Sequence, residues 1–283
     1  MGQITASMVK ELREVSGVGM MDCKKALVES DGDMDAAKEL LRKTGQAKAL
    51  KKSSRETREG SIGFYVSEDK KKGAIVKLGC ETDFVAKNDK FQEMLAQLAR
   101  QASDNGVEDF VNQAYQGQES VQDFLVKSIG ELGENIQFLE AKRLEVNSGL
   151  IGGYVHMTGK IGVLVSLETD QAYQGSELGD LAKDISMHIA ATQAEAISED
   201  QIDPEVLEKE KQFVITQAKE SGRPENIIEK MIEGRLQKFK KEVCILSQPF
   251  VKNPEQTIEA LLKDSSKNLG VAISLTGFVK YQF

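Results

Sequence analysis

The chain has 283 residues, 40% hydrophobic and 29% charged, with a net charge of -8; this is globular composition, long enough for more than one core and unlike a disordered chain. An acidic surface repels polyanions, so nucleic acid is set aside as the main partner unless a local basic patch dominates. No run approaches the roughly 18 apolar residues that span a bilayer, Met1-Gly2-Gln3-Ile4 lacks an apolar signal core, and Cys23, Cys80 and Cys244 are odd in number and far apart, so a cytoplasmic protein with reduced, buried thiols and no membrane partner is expected.

Residues 1–45 read as a small three-helix domain. Thr5 is placed to cap a first helix with Met8, Val9, Leu12 and Val15 on one face, and Cys23, Ala26 and Leu27 mark a second. After the Asp31-Gly32-Asp33 turn, Ala36, Ala37, Leu40 and Leu41 mark a third helix, which Gly45 is expected to close. A domain this short is near the lower limit for folding alone. Its turn Gly17-Val18-Gly19-Met20 therefore either faces a partner or lends Met20 and Met21 to a thin core. Residues 46–59 follow as a basic linker containing Lys48, Lys51, Lys52, Arg55 and Arg58, a solvated tether or a patch for an acidic helix or RNA.

From Gly60 the sequence repeats itself. Gly60-Ser61-Ile62-Gly63-Phe64-Tyr65-Val66 matches Gly149-Leu150-Ile151-Gly152-Gly153-Tyr154-Val155, and Gly73-Ala74-Ile75-Val76-Lys77-Leu78 matches Gly162-Val163-Leu164-Val165-Ser166-Leu167. Glu81-Thr82-Asp83 finds an echo in Glu168-Thr169-Asp170 after a slip of two residues. Each copy offers two strands, a loop, a helix (Phe91 to Ala99; Leu178 to Ile189), a further helix and a last strand. The expected fold class is α+β, a duplicated core with antiparallel strands, repeat one at 60–147 and repeat two at 148–283. Within the second copy, residues 203–242 read as an inserted antiparallel helical hairpin. It starts at Asp203-Pro204 and turns at Ser221-Gly222-Arg223-Pro224.

Catalytic chemistry finds little support in this chain. Of two histidines, His188 fits a hydrogen-bonded structural role, and His156 lies in a hairpin turn where the first copy has Ser67. Metal spacings of the CxxC or HExxH type and phosphate loops are absent, so no catalytic residue, metal or cofactor is assigned. What stands out is the loop Glu81-Thr82-Asp83-Phe84-Val85-Ala86-Lys87-Asn88-Asp89 between a buried strand and an amphipathic helix that Asn88 or Asp89 is placed to cap. Phe84 in this polar stretch either folds back into its own core or projects as an anchor for a partner.

Several of these segments resemble the bacterial elongation factor Ts family: Cys80-Glu81-Thr82-Asp83-Phe84-Val85-Ala86-Lys87-Asn88, Gly17-Val18-Gly19-Met20-Met21-Asp22-Cys23, Gly133-Glu134-Asn135-Ile136, Met187-His188-Ile189-Ala190-Ala191 and Gln248-Pro249-Phe250-Val251. The resemblance implies a UBA-like N-terminal domain, a coiled-coil hairpin, and a guanine-nucleotide exchange factor in translation elongation. Its implied partner is elongation factor Tu, GDP-bound and nucleotide-free. It also implies that Thr82, Asp83, Phe84 and Val85 bind Tu and dislodge its Mg²⁺, with Val18, Gly19, Met20 and His156 as further contacts. Many bacterial members carry an extra helical module beyond the position of Phe283, so a somewhat smaller interface is expected here. The contrasting expectation is a passive adaptor that binds without altering nucleotide affinity.

Overall fold

The computed structural model describes all residues except 1–3, 17, 117, 118, 174 and 221–224. The expected hairpin break at Ser221-Gly222-Arg223-Pro224 and Gly17 of the N-terminal turn therefore lie outside the described residues. The fold is α+β. Among the described residues no helix is long and apolar enough to cross a membrane.

Three helices open the chain: α1 (Ala6–Ser16), α2 (Met20–Glu29) and α3 (Met34–Lys52). Thr5 Oγ1 accepts from Met8 N at 3.3 Å, and Asp33 caps α3 by accepting from Asp35 N and Ala36 N at 2.9 Å each. Val9, Leu12, Cys23, Ala26, Leu27, Ala37 and Leu41 form the small core. Val15, expected on the core face, is instead 58% exposed. The expected stop at Gly45 is also corrected, because α3 runs through it to Lys52. A mid-helix glycine costs about 1 kcal/mol relative to alanine. Packing offsets this, since Ala49 on the extra turns is buried in the core of the first repeat. The first half of the basic linker is thus helical. Its remainder is pinned, with Asn135 Nδ2 donating to Arg55 O at 2.8 Å and Thr57 Oγ1 to Gln137 Oε1 at 2.8 Å.

The first repeat contains β1 (Glu59–Val66), β2 (Lys72–Cys80), a single helical turn α4 (Asp83–Ala86), α5 (Asp89–Asn105), a ribbon of β3 (Ala114–Tyr115) with β4 (Glu119–Ser120), α6 (Val121–Leu132) and β5 (Gln137–Glu145). The second contains β6 (Gly149–Val155), β7 (Ile161–Thr169), α7 (Glu177–Ala191), hairpin helices α8 (Pro204–Glu220) and α9 (Glu225–Val243), a ribbon of β8 (Pro249–Phe250) with β9 (Asn253–Thr257), α10 (Ile258–Leu269) and β10 (Ile273–Gln282). Both sheets are antiparallel and three-stranded, with orders β1-β2-β5 and β6-β7-β10. Their registers coincide. Gly60 pairs with Gly79 as Gly149 pairs with Glu168, and Lys72 pairs with Glu145 as Ile161 pairs with Gln282. The first two strands are thus related by a constant shift of 89 residues and the third strands by 137.

The repeats grip each other reciprocally. Ile62 N donates to Gly159 O at 2.8 Å, and its counterpart Ile151 N donates to Lys70 O at 2.7 Å. Lys71 Nζ reaches Gly149 O at 2.7 Å, and Lys160 Nζ reaches Gly60 O at 3.0 Å. Between the sheets lie Ile62 with Ile151 and Ile75 with Leu164, all buried. Gly60 and Gly149 have φ of +153° and +107°, and a Cβ there would strike the backbone oxygens of Leu78 and Leu167 at 2.1 and 2.0 Å; only glycine fits at these crossings. Helix α5 packs on the first sheet and α7 on the second, and α6 and α10 add side chains to the same two cores.

Because Ile75 and Leu164 fill equivalent places in one shared layer, Ile75→Ala and Leu164→Ala are each expected to lower stability by about 2–5 kcal/mol. Guanidinium unfolding followed by circular dichroism measures this, and a loss confined to either variant alone contradicts the equivalence.

Candidate functional site

The loop after β2 is held at several points on its inner side. Glu81 Oε1 accepts from Asn135 N at 2.7 Å and from Arg55 Nη1 at 3.3 Å. Glu134 accepts from Glu81 N and Thr82 N at 3.1 and 2.9 Å through one oxygen, and from Thr82 Oγ1 at 2.7 Å through the other. Thr82 then caps the turn α4, its Oγ1 accepting from Val85 N at 3.4 Å. Asn88 caps α5, accepting from Lys90 N at 3.0 Å.

With the inner side fixed, the outer side is set. Val85 is half-buried against the first core and Ala86 is buried in it. Phe84 points the other way and is 82% exposed; of the two alternatives the sequence allowed, it projects. Asp83 is paired with Lys87 at 2.8 Å, and the hydrogen bond from that ammonium holds its carboxyl below the usual range. A bare aromatic ring thus sits beside an ionised carboxylate on one turn of helix.

The other predicted positions are dispersed over different elements. Gly19 starts α2, with Val18 packed against the N-terminal core. Met20 and Met21 are 48% and 78% exposed, so they do not complete that core. His156 lies in the β6–β7 turn, exposed, with Nδ1 at 3.1 Å from Tyr154 Oη. Beside it Met157 is 95% exposed, a residue that the sequence reading passed over. His188 is fully buried on α7. Val251 N donates to its Nδ1 at 3.4 Å, so Nε2 carries the proton towards Gln248 Oε1 at 2.8 Å. Gln248 in turn donates to Gln193 O and Glu242 O at the root of the hairpin.

Cys80 adjoins the loop but is buried, its Sγ donating to Thr82 O at 3.1 Å. Burial, and after it the nearby Glu134 charge, pushes the thiol up to about 12. It is no nucleophile at neutral pH. Among the described residues no cluster of His, Cys, Asp and Glu is arranged to hold a metal ion.

The two loops also align differently from the slipped echo expected from the sequence. Glu168 and Thr169 still belong to β7. Asp170 is the counterpart of Glu81, because its carboxylate accepts from Ala272 N at 2.9 Å as Glu81 accepts from Asn135 N. The same shift puts Tyr173 in the place of Phe84, so both loops carry an aromatic at this position. Tyr173 is half-buried against the second core, and its hydroxyl bonds Glu177 at 3.0 Å.

Residues 81–283, from the first residue of the loop onward, match the model of a family described as Elongation factor TS. The chain is also 44% identical over 282 residues to the elongation factor Ts of Clostridium perfringens (strain SM101 / Type A), covering 99% of this chain and 92% of that one. It is 43% identical over 284 residues, with the same coverage, to the elongation factor Ts of Clostridium botulinum (strain ATCC 19397 / Type A). The chain belongs to the elongation factor Ts family. It is therefore related to translation elongation factors of protein biosynthesis. The family match includes the whole loop and both sheets' last strands, while the relatives' alignments extend over the N-terminal helices as well.

Two outcomes follow from the local chemistry. Iodoacetamide at pH 8 should leave Cys80 unmodified in the folded protein and label it once denaturant is added; rapid labelling of the native thiol would contradict its raised pKa. Burial holds His188 below its ordinary value of 6.5, so the unfolded chain takes up that proton first as pH falls. Stability is therefore expected to be full above about pH 6.5 and to decline below it, down through the depressed folded value. Urea midpoints between pH 7.5 and 5 test this, and His188→Gln should flatten that part of the curve.

Proposed function

We propose that this chain is a guanine-nucleotide exchange factor that binds elongation factor Tu, in its GDP-bound and nucleotide-free forms, and promotes GDP release. The observation that carries the reading is the bare Phe84 ring on a turn of helix whose other face is locked. Thr82, Asp83, Phe84 and Val85 form the contact that dislodges the partner's Mg²⁺, and Val18, Gly19, Met20 and His156 supply further contacts. Met20 and His156 are exposed, Gly19 precedes α2 with open space where a Cβ would stand, and Val18 lies beside it.

Exchange of this kind needs no bond chemistry. Two ligands that favour different conformations of one partner weaken each other by the same factor. Burying Phe84 in the GTPase contributes about 1.5 to 3 kcal/mol to the conformation that holds nucleotide poorly. Because the loop is already in place, little of that is lost to ordering it. Asp83 brings a charge, paired with Lys87, to the same spot.

The test is the dissociation rate of a fluorescent GDP from elongation factor Tu of the same cell at fixed Mg²⁺. Addition of this protein should accelerate release strongly, and Phe84→Ala should lower that acceleration by roughly tenfold or more. An unchanged rate with Phe84→Ala would remove the wedge; binding without acceleration would make the protein a passive adaptor.

A further inference from the structure

The loop that carries Phe84 is not self-supporting. One turn of helix has almost no stability of its own, and α4 comprises only Asp83–Ala86. Its start depends on Thr82, whose backbone N and Oγ1 both end on the carboxylate of Glu134, 2.9 and 2.7 Å away. Glu81 N adds a third bond to the same group at 3.1 Å. The carboxylate thus fixes both the backbone direction into α4 and the rotamer of the residue that caps it.

The second repeat supplies an internal comparison. Gly133-Glu134-Asn135-Ile136 before β5 corresponds to Gly270-Val271-Ala272-Ile273 before β10. Both glycines close their helices with positive φ, +82° and +69°. The outer anchor is shared, Glu81 to Asn135 N in one and Asp170 to Ala272 N in the other. The carboxylate is not shared: where the first repeat has Glu134, the second has Val271, buried in its core, and Ala272 stands in the place of Asn135. With no carboxylate there, Gln171 in the place of Thr82 turns outward to Gly270 O at 3.2 Å. Residues 172, 173 and 175, the described counterparts of α4, are not helical, and the aromatic lies back on its own core. The two halves share strands, helix caps and an anchoring bond, and the aromatic projects in the half that has the carboxylate.

We infer that Glu134 is a positioning residue for exchange: its carboxylate holds the Thr82-capped turn so that Phe84 points at the partner. The inference rests on the exchange-factor reading and names the part of the chain that keeps the wedge out of its own core. Glu134 acts through Thr82 and Phe84 and touches neither nucleotide nor metal.

The experiment is a double-variant cycle on fluorescent GDP release from elongation factor Tu, using the full chain. Glu134→Ala is expected to slow stimulated release roughly tenfold or more, the size of losing hydrogen bonds to a charged group. Glu134→Gln, which keeps one carbonyl oxygen for the amides of Glu81 and Thr82, should recover part of the loss. In the Phe84→Ala background Glu134→Ala should add less than about twofold, because the two residues act as one unit. Amide exchange at Thr82 through Val85 should quicken in Glu134→Ala, while protection in β2 and α5 stays unchanged. A wild-type release rate for Glu134→Ala, losses that multiply in the double variant, or unaltered loop exchange each overturn the positioning role. If instead Phe84→Ala itself leaves release unchanged, the wedge reading falls and takes the inference with it. If Glu134→Ala fails to fold, Glu134→Gln carries the same cycle alone.

Discussion

The reciprocal hydrogen bonds between the repeats are the constraint from which the rest of the molecule follows. Each hairpin tip bonds the first strand of the other copy, Gly159 to Ile62 and Lys70 to Ile151, and each tip sends a lysine to the glycine that opens the opposite sheet. Four backbone and side-chain bonds of this kind leave the two sheets one relative arrangement, and the buried isoleucine and leucine layer between them fills it. Strand β2 is thereby fixed along its whole length, and it delivers Cys80 to the foot of the loop. A loop can be held to within a hydrogen-bond length only if the strand beneath it does not move.

On that base the protein spends polar groups on the inside of the loop and leaves an apolar one outside. Glu81, Arg55 and the adjacent Glu134 and Asn135 come from three different segments and meet behind Thr82. Their bonds would be weak singly in water; converging at a half-buried point they are mutually oriented and lose little on forming. A solvated phenylalanine is the cost of this arrangement, and it is the feature that a binding surface requires and a solitary fold does not. The N-terminal helices join the same framework through α3, whose last turns lie in the first core rather than hanging from it.

The histidine network at the other end works in the same manner but faces inward. His188, Gln248 and the carbonyls of Gln193 and Glu242 tie the root of the helical hairpin to the second core. The hairpin helices themselves are mostly solvent-facing, with Val214 buried and Phe213 exposed. What is rigid there is the base.

The sequence by itself determined the duplicated α+β core, because alternating apolar strands and amphipathic helices announce their partners by period, and two copies of one pattern announce each other. It also singled out Phe84, since an aromatic inside a polar loop is anomalous in any context, and it marked Thr5, and Asn88 or Asp89, as caps through purely local chemistry. Helix α3 escaped it: a glycine such as Gly45 reads locally as a stop, and only the distant core that receives Ala49 makes continuation favourable. Tyr173 escaped it because the echo of Glu-Thr-Asp was matched by letters, whereas the true alignment is carried by a hydrogen bond to Ala272 across about a hundred residues. The direction of Phe84 and the purpose of Glu134 were decided by the tertiary structure alone. A carboxylate more than fifty residues away in the chain has no local signature, and it acquires one only when two sheets, locked together, bring it beneath the loop.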